Sequence, residues 1–555
     1  MLFDRTFHPD EANQAFTVGR LLETGTYTYR PTDHHGPTLY YAAAPLQKAF
    51  GHTTTATLDG TLLRCTPLIF GVLTLVFLAE AVYGLVRYFG GTPENRATRR
   101  LLPALAAGAA TLLLGTSPLF VFYATDFIQE TLLACFTAMA LKCAIGYAVA
   151  RQPPEDPLHP RRLKPGTWAI FFGFSIGLCF ATKETCSLSF AAAILAAAPF
   201  LAIHLKRNGI CALADIVRPN DVVLGLLAFL LTSAVLFSSF CQDWMGVYNA
   251  FIAAPLSYVH RAAGEAAAGG ANWHVHPWTQ YIHWFFLGQP SALPASAPAD
   301  HVFAHLHPLL HWAVLLLMLG GRALWNLRSK GRVHPLILAF FGFSLYFANL
   351  LGFYSAIPYK TPWCAVQLLL GFVPAIVLGY TAAARELLVV LTPTLLHASR
   401  QLRLFVTGLV YVGCLCLTTL IGVAEHLPGL QLMARDPDSR AIPYNYAHSS
   451  PEVKDLAACV DAAIKSAPDP KKAFIAVSLP PEDTWPFPWY NRTWEPLTGY
   501  WTKFDDLVEL EKTGARPTVV IVPMREGHLV QPLFPHLKHT KRFYMRPRVR
   551  VRVFW

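Results

Sequence analysis

Residues 62–86 read LLRCTPLIFGVLTLVFLAEAVYGLV. Only Arg64 and Glu80 carry charge in these 25 residues. At 1.5 Å per helical residue, such a run is long enough to cross the ~30 Å hydrocarbon layer of a bilayer. Nine more apolar runs follow, at roughly 101–123, 127–149, 167–182, 185–205, 221–241, 306–324, 335–353, 363–384 and 403–424. The pattern predicts an α-helical polytopic membrane protein with about ten transmembrane helices, the run at 167–182 being short. The runs are rich in Gly, Ala and Ser, which lets helices approach closely in lipid.

Composition agrees. Hydrophobic residues make up 54% of the 555-residue chain and charged residues 14%, against about 25% charged in ordinary soluble proteins. So little charge cannot cover a soluble multidomain surface, and so much apolar content excludes a disordered chain. The net charge is +11, yet the cations lie in short clusters between apolar runs, and no nucleic-acid-binding pattern is present. Neither a P-loop nor a Rossmann fingerprint occurs, so no nucleotide cofactor is expected. Of the eleven cysteines, most lie in apolar runs (Cys65, Cys135, Cys143, Cys179, Cys414, Cys416) and none forms a CxxC. They read as small core residues rather than as a disulfide or zinc framework.

The loops alternate in charge. One set holds 18 Lys and Arg, from Arg87 to Arg403, whereas the other (124–126, 183–184, 242–305, 354–362) holds only Lys183, Arg261 and Lys360. The positive-inside rule puts the first set in the cytoplasm. Residues 1–60 are then an external loop, 61–424 a transmembrane bundle with an external loop at 242–305, and 425–555 an extracytoplasmic domain. The Trp- and His-rich 242–305 loop predicts short interfacial helices. In the last section, 451–465 reads as an amphipathic helix, and 473–478, 518–522 and 548–554 read as strands, giving a small soluble α/β domain. The strand RVRVRVF from Arg548 to Phe554 has one basic face, suited to solvent or to anionic headgroups or a lipid phosphate.

The densest polar cluster is His8, Asp10 and Glu11, followed by Asp33, His34, His35, Gly36 and Pro37. A carboxylate pair beside imidazoles can supply a general base or hold a divalent cation such as Mg or Mn, with Asp10, Glu11 and His35 as ligands. An ordinary polar loop would also read this way. Asp126 and Glu130 in YATDFIQE are four apart, so a continuous helix would put them on one face as a second acidic site. Lys183 and Lys360, with Arg64, are cations placed to meet a phosphate at headgroup depth or simply to snorkel. His301/His305 and His307/His311 have helical spacing for a metal, with only Asp300 nearby to complete a set. Asn491-Arg492-Thr493 is a weak glycosylation sequon.

The strings HPDEANQAF, RLLETGTYTY and HHGPTLYY resemble the GT-C superfamily of polytopic glycosyltransferases, which includes protein O-mannosyltransferases. They resemble most the family named "flippase activity-associated", linked by name to archaeal protein glycosylation. The pattern of that family, a DE dipeptide, an HGP tripeptide and two Arg, matches Asp10-Glu11, His35-Gly36-Pro37, Arg20 and Arg64. The similarity extends through FIQE, ATKET, PYKTPW and WPFPWYNR. It implies Asp10 or Glu11 as base or metal ligand, with Asp126 and Glu130 as further acids. Arg20, His35, Arg64, Lys183, Glu184, Tyr359, Lys360, Trp489 and Arg492 then contact lipid phosphate or substrate. It further implies a multi-pass protein of a prokaryotic plasma membrane that takes a sugar from a polyprenyl-phosphate donor. The acceptor, protein or glycan, lies on the extracytoplasmic face. In the superfamily a transmembrane helix precedes the acidic motif. Only nine residues precede Asp10 here, so that first helix is expected to be missing. The alternative reading is a non-catalytic factor for flipping or handling lipid-linked oligosaccharides, partnered with a flippase or glycosylation machinery.

Overall fold

The computed structural model describes residues 2–31, 35–89, 96–152, 163–263, 274–288, 306–395, 399–439, 441–446, 448–546 and 549–555. Asp33, His34, Asp300, His301, His305 and Arg548 lie outside them.

Each of the ten apolar runs is helical, the one at 101–123 as two helices. After α1 (Pro9–Thr24) and α2 (Thr38–Ala49) come α3 (Gly60–Phe89), α4 (Arg96–Gly115), α5 (Pro118–Ala124), α6 (Glu130–Ala150), α7 (Pro165–Phe180) and α8 (Cys186–Asn208). Then follow α9 (Pro219–Phe237), α10 (Leu306–Lys330), α11 (Pro335–Ala356), α12 (Val366–Leu395) and α13 (Arg400–Arg435). Among the described residues, eight helices are long and apolar enough to span a membrane. Residues 101–124 make a ninth span bent by 69°, and α7 is a shorter apolar helix of 16 residues. The bend falls at Ser117–Pro118, because Pro118 cannot donate to the preceding turn. The central helix is the span Pro362–Leu391, whose most apolar 18 residues are 94% buried, whereas the corresponding stretches of the other seven long spans are at most 50% buried.

Residues 1–60, read from sequence as a loop, fold as two helices. The 245–287 stretch contains the expected short helices, Met245–Tyr248, Ala254–Ala262 and Gln280–Ile282 among them. The C-terminal part is a five-stranded sheet in the order β2-β1-β3-β5-β4. The strands are β1 (Ile475–Ser478), β2 (Thr498–Trp501), β3 (Val519–Pro523), β4 (Thr540–Arg546) and β5 (Val549–Phe554). β1 runs parallel to β2 and β3, while β5 runs antiparallel to β3 and β4. Helix Glu452–Lys465 buries Val453, Leu456, Val460 and Ile464 against one face of this sheet. The sheet domain is tied to the N-terminal segment. Phe7 stacks on Trp489 at 4.5 Å, and the Thr6 amide donates to Asp438 at 3.0 Å.

Candidate functional site

The string H-P-D-E starts α1 with a capping box. The His8 Nδ1 accepts from the Asp10 amide, and the Glu11 carboxylate accepts from the His8 amide. Glu11 is thereby turned inward. Its Oε1 accepts from Arg64 Nε and from the Phe127 amide, both at 2.8 Å. Its Oε2 accepts from Arg64 Nη2 at 2.6 Å and from the His8 amide at 3.0 Å. Both side chains are sealed from solvent. Burial alone would raise the Glu11 pKa, but the Arg64 charge and hydrogen bonds outweigh it and hold the carboxyl well below the usual range. With its acceptor positions filled, Glu11 cannot serve as a base or metal ligand, which corrects that expectation. Arg64, expected on a phosphate, is spent on Glu11 and on the carbonyls of Phe3 and Arg5.

Asp126 does not share a helical face with Glu130, because residues 125–129 form a turn and α6 starts only at Glu130. Asp126 lies 3.2 Å from Arg5 Nη2, and Glu130 pairs with Lys183. Burial, and then the charge of Glu11, push the Asp126 carboxyl well above its ordinary range, Arg5 offsetting only part of this. Arg5 also lies 4.0 Å above the Phe122 ring.

Asp10 is different. Its side chain keeps 48% of its exposure, and the nearest His8 ring nitrogen is 3.8 Å away. Because His8 Nδ1 accepts from a backbone amide, Nε2 carries the proton it donates to the Tyr446 carbonyl at 2.8 Å. The same imidazole meets the edge of Trp363.

The HGP and TKE strings pack on each other. His35 Nδ1 pairs with Glu184 Oε2 at 2.9 Å, and Tyr29 donates to the other oxygen at 3.0 Å. Thr38 and Thr182 share a hydroxyl hydrogen bond at 2.8 Å. Between them Gly36 sits so close that a Cβ would fall 2.1 Å from the Ala181 carbonyl oxygen, so only glycine fits. Burial would raise Glu184, but the His35 charge and hydrogen bond, its own backbone amide and Lys183 bring it down to about 2. Lys183 is buried, paired with Glu130 and 5.9 Å from the Trp363 ring centroid. This docking holds His35 away from any metal role beside Asp10. Among the described residues no three His, Cys, Asp or Glu side chains gather to hold a metal ion.

The PYK loop pairs with residues 274–276, which sequence reasoning missed. The Lys360 amide donates to the His274 carbonyl at 2.8 Å, and the His276 amide to Pro358 at 3.1 Å. His274 Nδ1 and His276 Nε2 both reach the Tyr446 hydroxyl, at 3.0 and 3.3 Å, and the Tyr359 ring lies over His274 at 4.6 Å. Lys360 is 1% exposed and bonds the Ile357 carbonyl. Among the described residues it has no carboxylate partner. Burial holds its ammonium below the ordinary range, and its charge, after burial, does the same to His276. Tyr446 thus joins Asp10, through His8, to the Lys360 loop. The available signal was HVHPW, a His pair beside Trp in an otherwise uncharged stretch.

Other expected residues lie apart. Arg20 is on the exposed side of α1 and bonds Thr17. Trp489 and Arg492 form a buckle: the guanidinium stacks 4.1 Å from the Trp489 ring and donates to the Leu58 carbonyl. Both are consumed by packing. Asn491 is buried and donates to Thr498 at 2.9 Å, so the sequon is no glycan acceptor in the folded chain. His307 faces Glu425 and His311 bonds Tyr380, so they do not converge on a metal.

A cavity of about 320 Å³, open solvent included, adjoins His8 and is walled by Trp363, Phe122 and Tyr446 with Arg5, Asp126 and Asn445. Arg5 Nη1 is buried there without a hydrogen-bond partner.

The spans, the two N-terminal helices and the terminal sheet together can now be compared with solved proteins. In fold, the chain is similar to ArnT. The crystal structure of ArnT from Cupriavidus metallidurans bound to undecaprenyl phosphate matches 100% of this chain and 95% of that one, with a TM-score of 0.56 at 14% identity. The same protein in the apo state matches 99% and 94%, at 0.54 and 13%. The architecture is an ArnT-like GT-C fold with a small C-terminal sheet domain. No family model matches the chain, and no curated protein matches its sequence.

Proposed function

We propose that this protein is a membrane glycosyltransferase. It moves a sugar from a polyprenyl-phosphate donor to an acceptor on the extracytoplasmic face of a prokaryotic plasma membrane. One observation carries the reading: the half-exposed carboxylate Asp10 lies beside His8, which bonds the Tyr446 carbonyl, while the Tyr446 hydroxyl meets His274, whose carbonyl accepts from the amide of the buried Lys360. The fold shared with a protein crystallised with undecaprenyl phosphate supports a polyprenyl donor. The loop charges put this end of the bundle outside.

In this reading the sugar lies against the half-exposed Asp10 beside His8, and its phosphate lies toward Lys360, with Lys183 near Trp363. The acceptor hydroxyl or amide gives its proton to the Asp10 carboxylate as its heteroatom bonds to the anomeric carbon. The bond from that carbon to the phosphate oxygen breaks, and its electron pair leaves with the phosphate, which Lys360 stabilises electrostatically. Attack from the face opposite the phosphate inverts the anomeric centre. Asp126, whose buried carboxyl sits well above its ordinary range, lines the pocket beside His8. Glu11 and Arg64 fix the start of α1 and so aim Asp10. The finer resemblance to flippase-associated proteins rests on the sequence motifs from Asp10-Glu11 to WPFPWYNR.

The test is transfer of radiolabelled sugar from polyprenyl-phosphate donors by purified protein, beside Asp10→Asn. Loss of turnover with donor binding retained supports the transferase. Donor binding without transfer in the wild type favours an accessory factor in handling lipid-linked sugars.

A further inference from the structure

An ion pair inside the spans has no part in that mechanism. Glu80 of α3 pairs with Lys142 of α6, where the two helices pack side by side. At ~1.5 Å per residue, Lys142 is about 18 Å from the start of α6 at Glu130 and about 12 Å from its end at Ala150. Glu80 is about 14 Å from the end of α3 at Phe89. Both therefore lie within the ~30 Å hydrocarbon layer.

The pair is open on the side away from the bundle. Glu80 keeps 47% of its exposure and Lys142 28%. Among the described residues the other paired acids of the spans are closed off: Glu130, Glu386 and Glu425 keep 2%, 10% and 12%. Charged side chains at such depth are costly and almost always face protein or a water-filled cavity. A lysine can escape by reaching for the headgroups, but Lys142 turns to Glu80, and the shorter Glu80 has no such reach. One partner each fills only part of the hydrogen-bonding capacity of a carboxylate and an ammonium. The same side of α3 carries Ile69, Val72, Leu73 and Val76, all exposed. With Glu80 they are spaced as one continuous seam along the helix.

The occupant that matches this face is a second copy of the chain. It enters the membrane in the same orientation, so its own Glu80 and Lys142 stand at the same depth. A two-fold axis along the membrane normal then sets each carboxylate against the ammonium of the other copy, so that one patch complements itself. The four charges close into a ring turned away from lipid. Lipid chains supply no charge at this depth, and an unrelated helix would need an acid and a base matched to both positions. We propose that the protein forms a two-fold dimer through the α3–α6 face, centred on Glu80 and Lys142, with the apolar seam of α3 packed beside them.

The experiment uses the full chain, co-produced with two different affinity tags and transferred to nanodiscs at high lipid excess. Recovery of one tag with the other is measured, and unfolding temperature reports on the fold. Wild type is compared with Glu80→Lys, Lys142→Glu, the reversed pair Glu80→Lys/Lys142→Glu and the uncharged pair Glu80→Leu/Lys142→Leu. Wild type should recover its second copy. Each single variant sets like charges across the axis and should lose recovery about tenfold, the scale of an interhelical polar contact in lipid. Co-produced with each other, the two single variants should regain it, because every contact across the axis is again Lys against Glu. The reversed pair should behave as wild type. A pair that acts only within one chain gives no such rescue, since like charges still face each other inside each copy.

The leucine pair suits lipid and should fold. Its expected loss of recovery keeps the test decisive where a charge-reversed chain does not fold. Wild type alone in its disc, whether lipid or another protein covers the face, overturns the dimer. So does full recovery with the leucine pair, or folded single variants that do not rescue each other.

Discussion

Arg64 grips Glu11 through two nearly parallel hydrogen bonds, Nε to Oε1 at 2.8 Å and Nη2 to Oε2 at 2.6 Å, with neither side chain exposed. Neighbours in sequence, Glu11 and Asp10 thereby take opposite roles, one locked into the scaffold and one left half-exposed beside His8.

Glu11→Gln should therefore act on stability. Removing one partner of a buried pair leaves an uncompensated charge and costs about 3–5 kcal/mol. Asp10→Asn, at a half-exposed site, should stay within about 0.5 kcal/mol of wild type. Thermal unfolding in detergent separates the two. Glu11→Gln combined with Arg64→Met should recover part of the loss, because no charge is then stranded.

Gly36→Ala should undo the docking of the HGP string on residues 181–184. The added methyl meets a backbone carbonyl, which cannot swing aside, so the cost lies at or above the ~1–3 kcal/mol usual for overpacking. Lys183, buried in the wild type, should become open to trypsin in the variant.

Glu184 gives a pH dependence. Its carboxyl is lowered from 4.5 to about 2 in the fold, so it contributes stability above pH 4.5 that is lost as the pH falls toward 2. A displacement of that size corresponds to about 3 kcal/mol. The unfolding temperature of Glu184→Gln should fall less steeply than that of wild type between pH 4.5 and 3. Parallel curves would refute the assignment.

Lys360→Met should weaken donor binding. A charge-assisted hydrogen bond of about 1.5–3 kcal/mol predicts a rise of roughly 10- to 100-fold in the donor KM. Lys360→Arg should lose less. Unfolding temperature serves as the control.

Much of the fold could be read from the sequence because lipid allows so few solutions. An apolar run of about 20 residues in lipid must be helical, and all ten runs were, the one at 101–123 being broken into two helices. The three strands expected near the C-terminus also formed. What escaped was pairing over distance. Glu11 and Arg64 are 53 residues apart, and His35 and Glu184 are 149 apart. Nothing local distinguishes a carboxylate that will be buried from one that stays open. Asp126 and Glu130 misled because helical spacing was assumed across a turn. Tyr446 and the His274–His276 pair carried no charge pattern at all, although they join the two halves of the site.

The central claim is tested most directly by sugar transfer from a radiolabelled polyprenyl-phosphate donor in reconstituted protein. Wild type is compared with Asp10→Asn at matched folding. The account predicts product with wild type, and none with Asp10→Asn, which still binds donor with unchanged affinity. Equal transfer by both proteins, or bound donor that wild type never consumes, would contradict it.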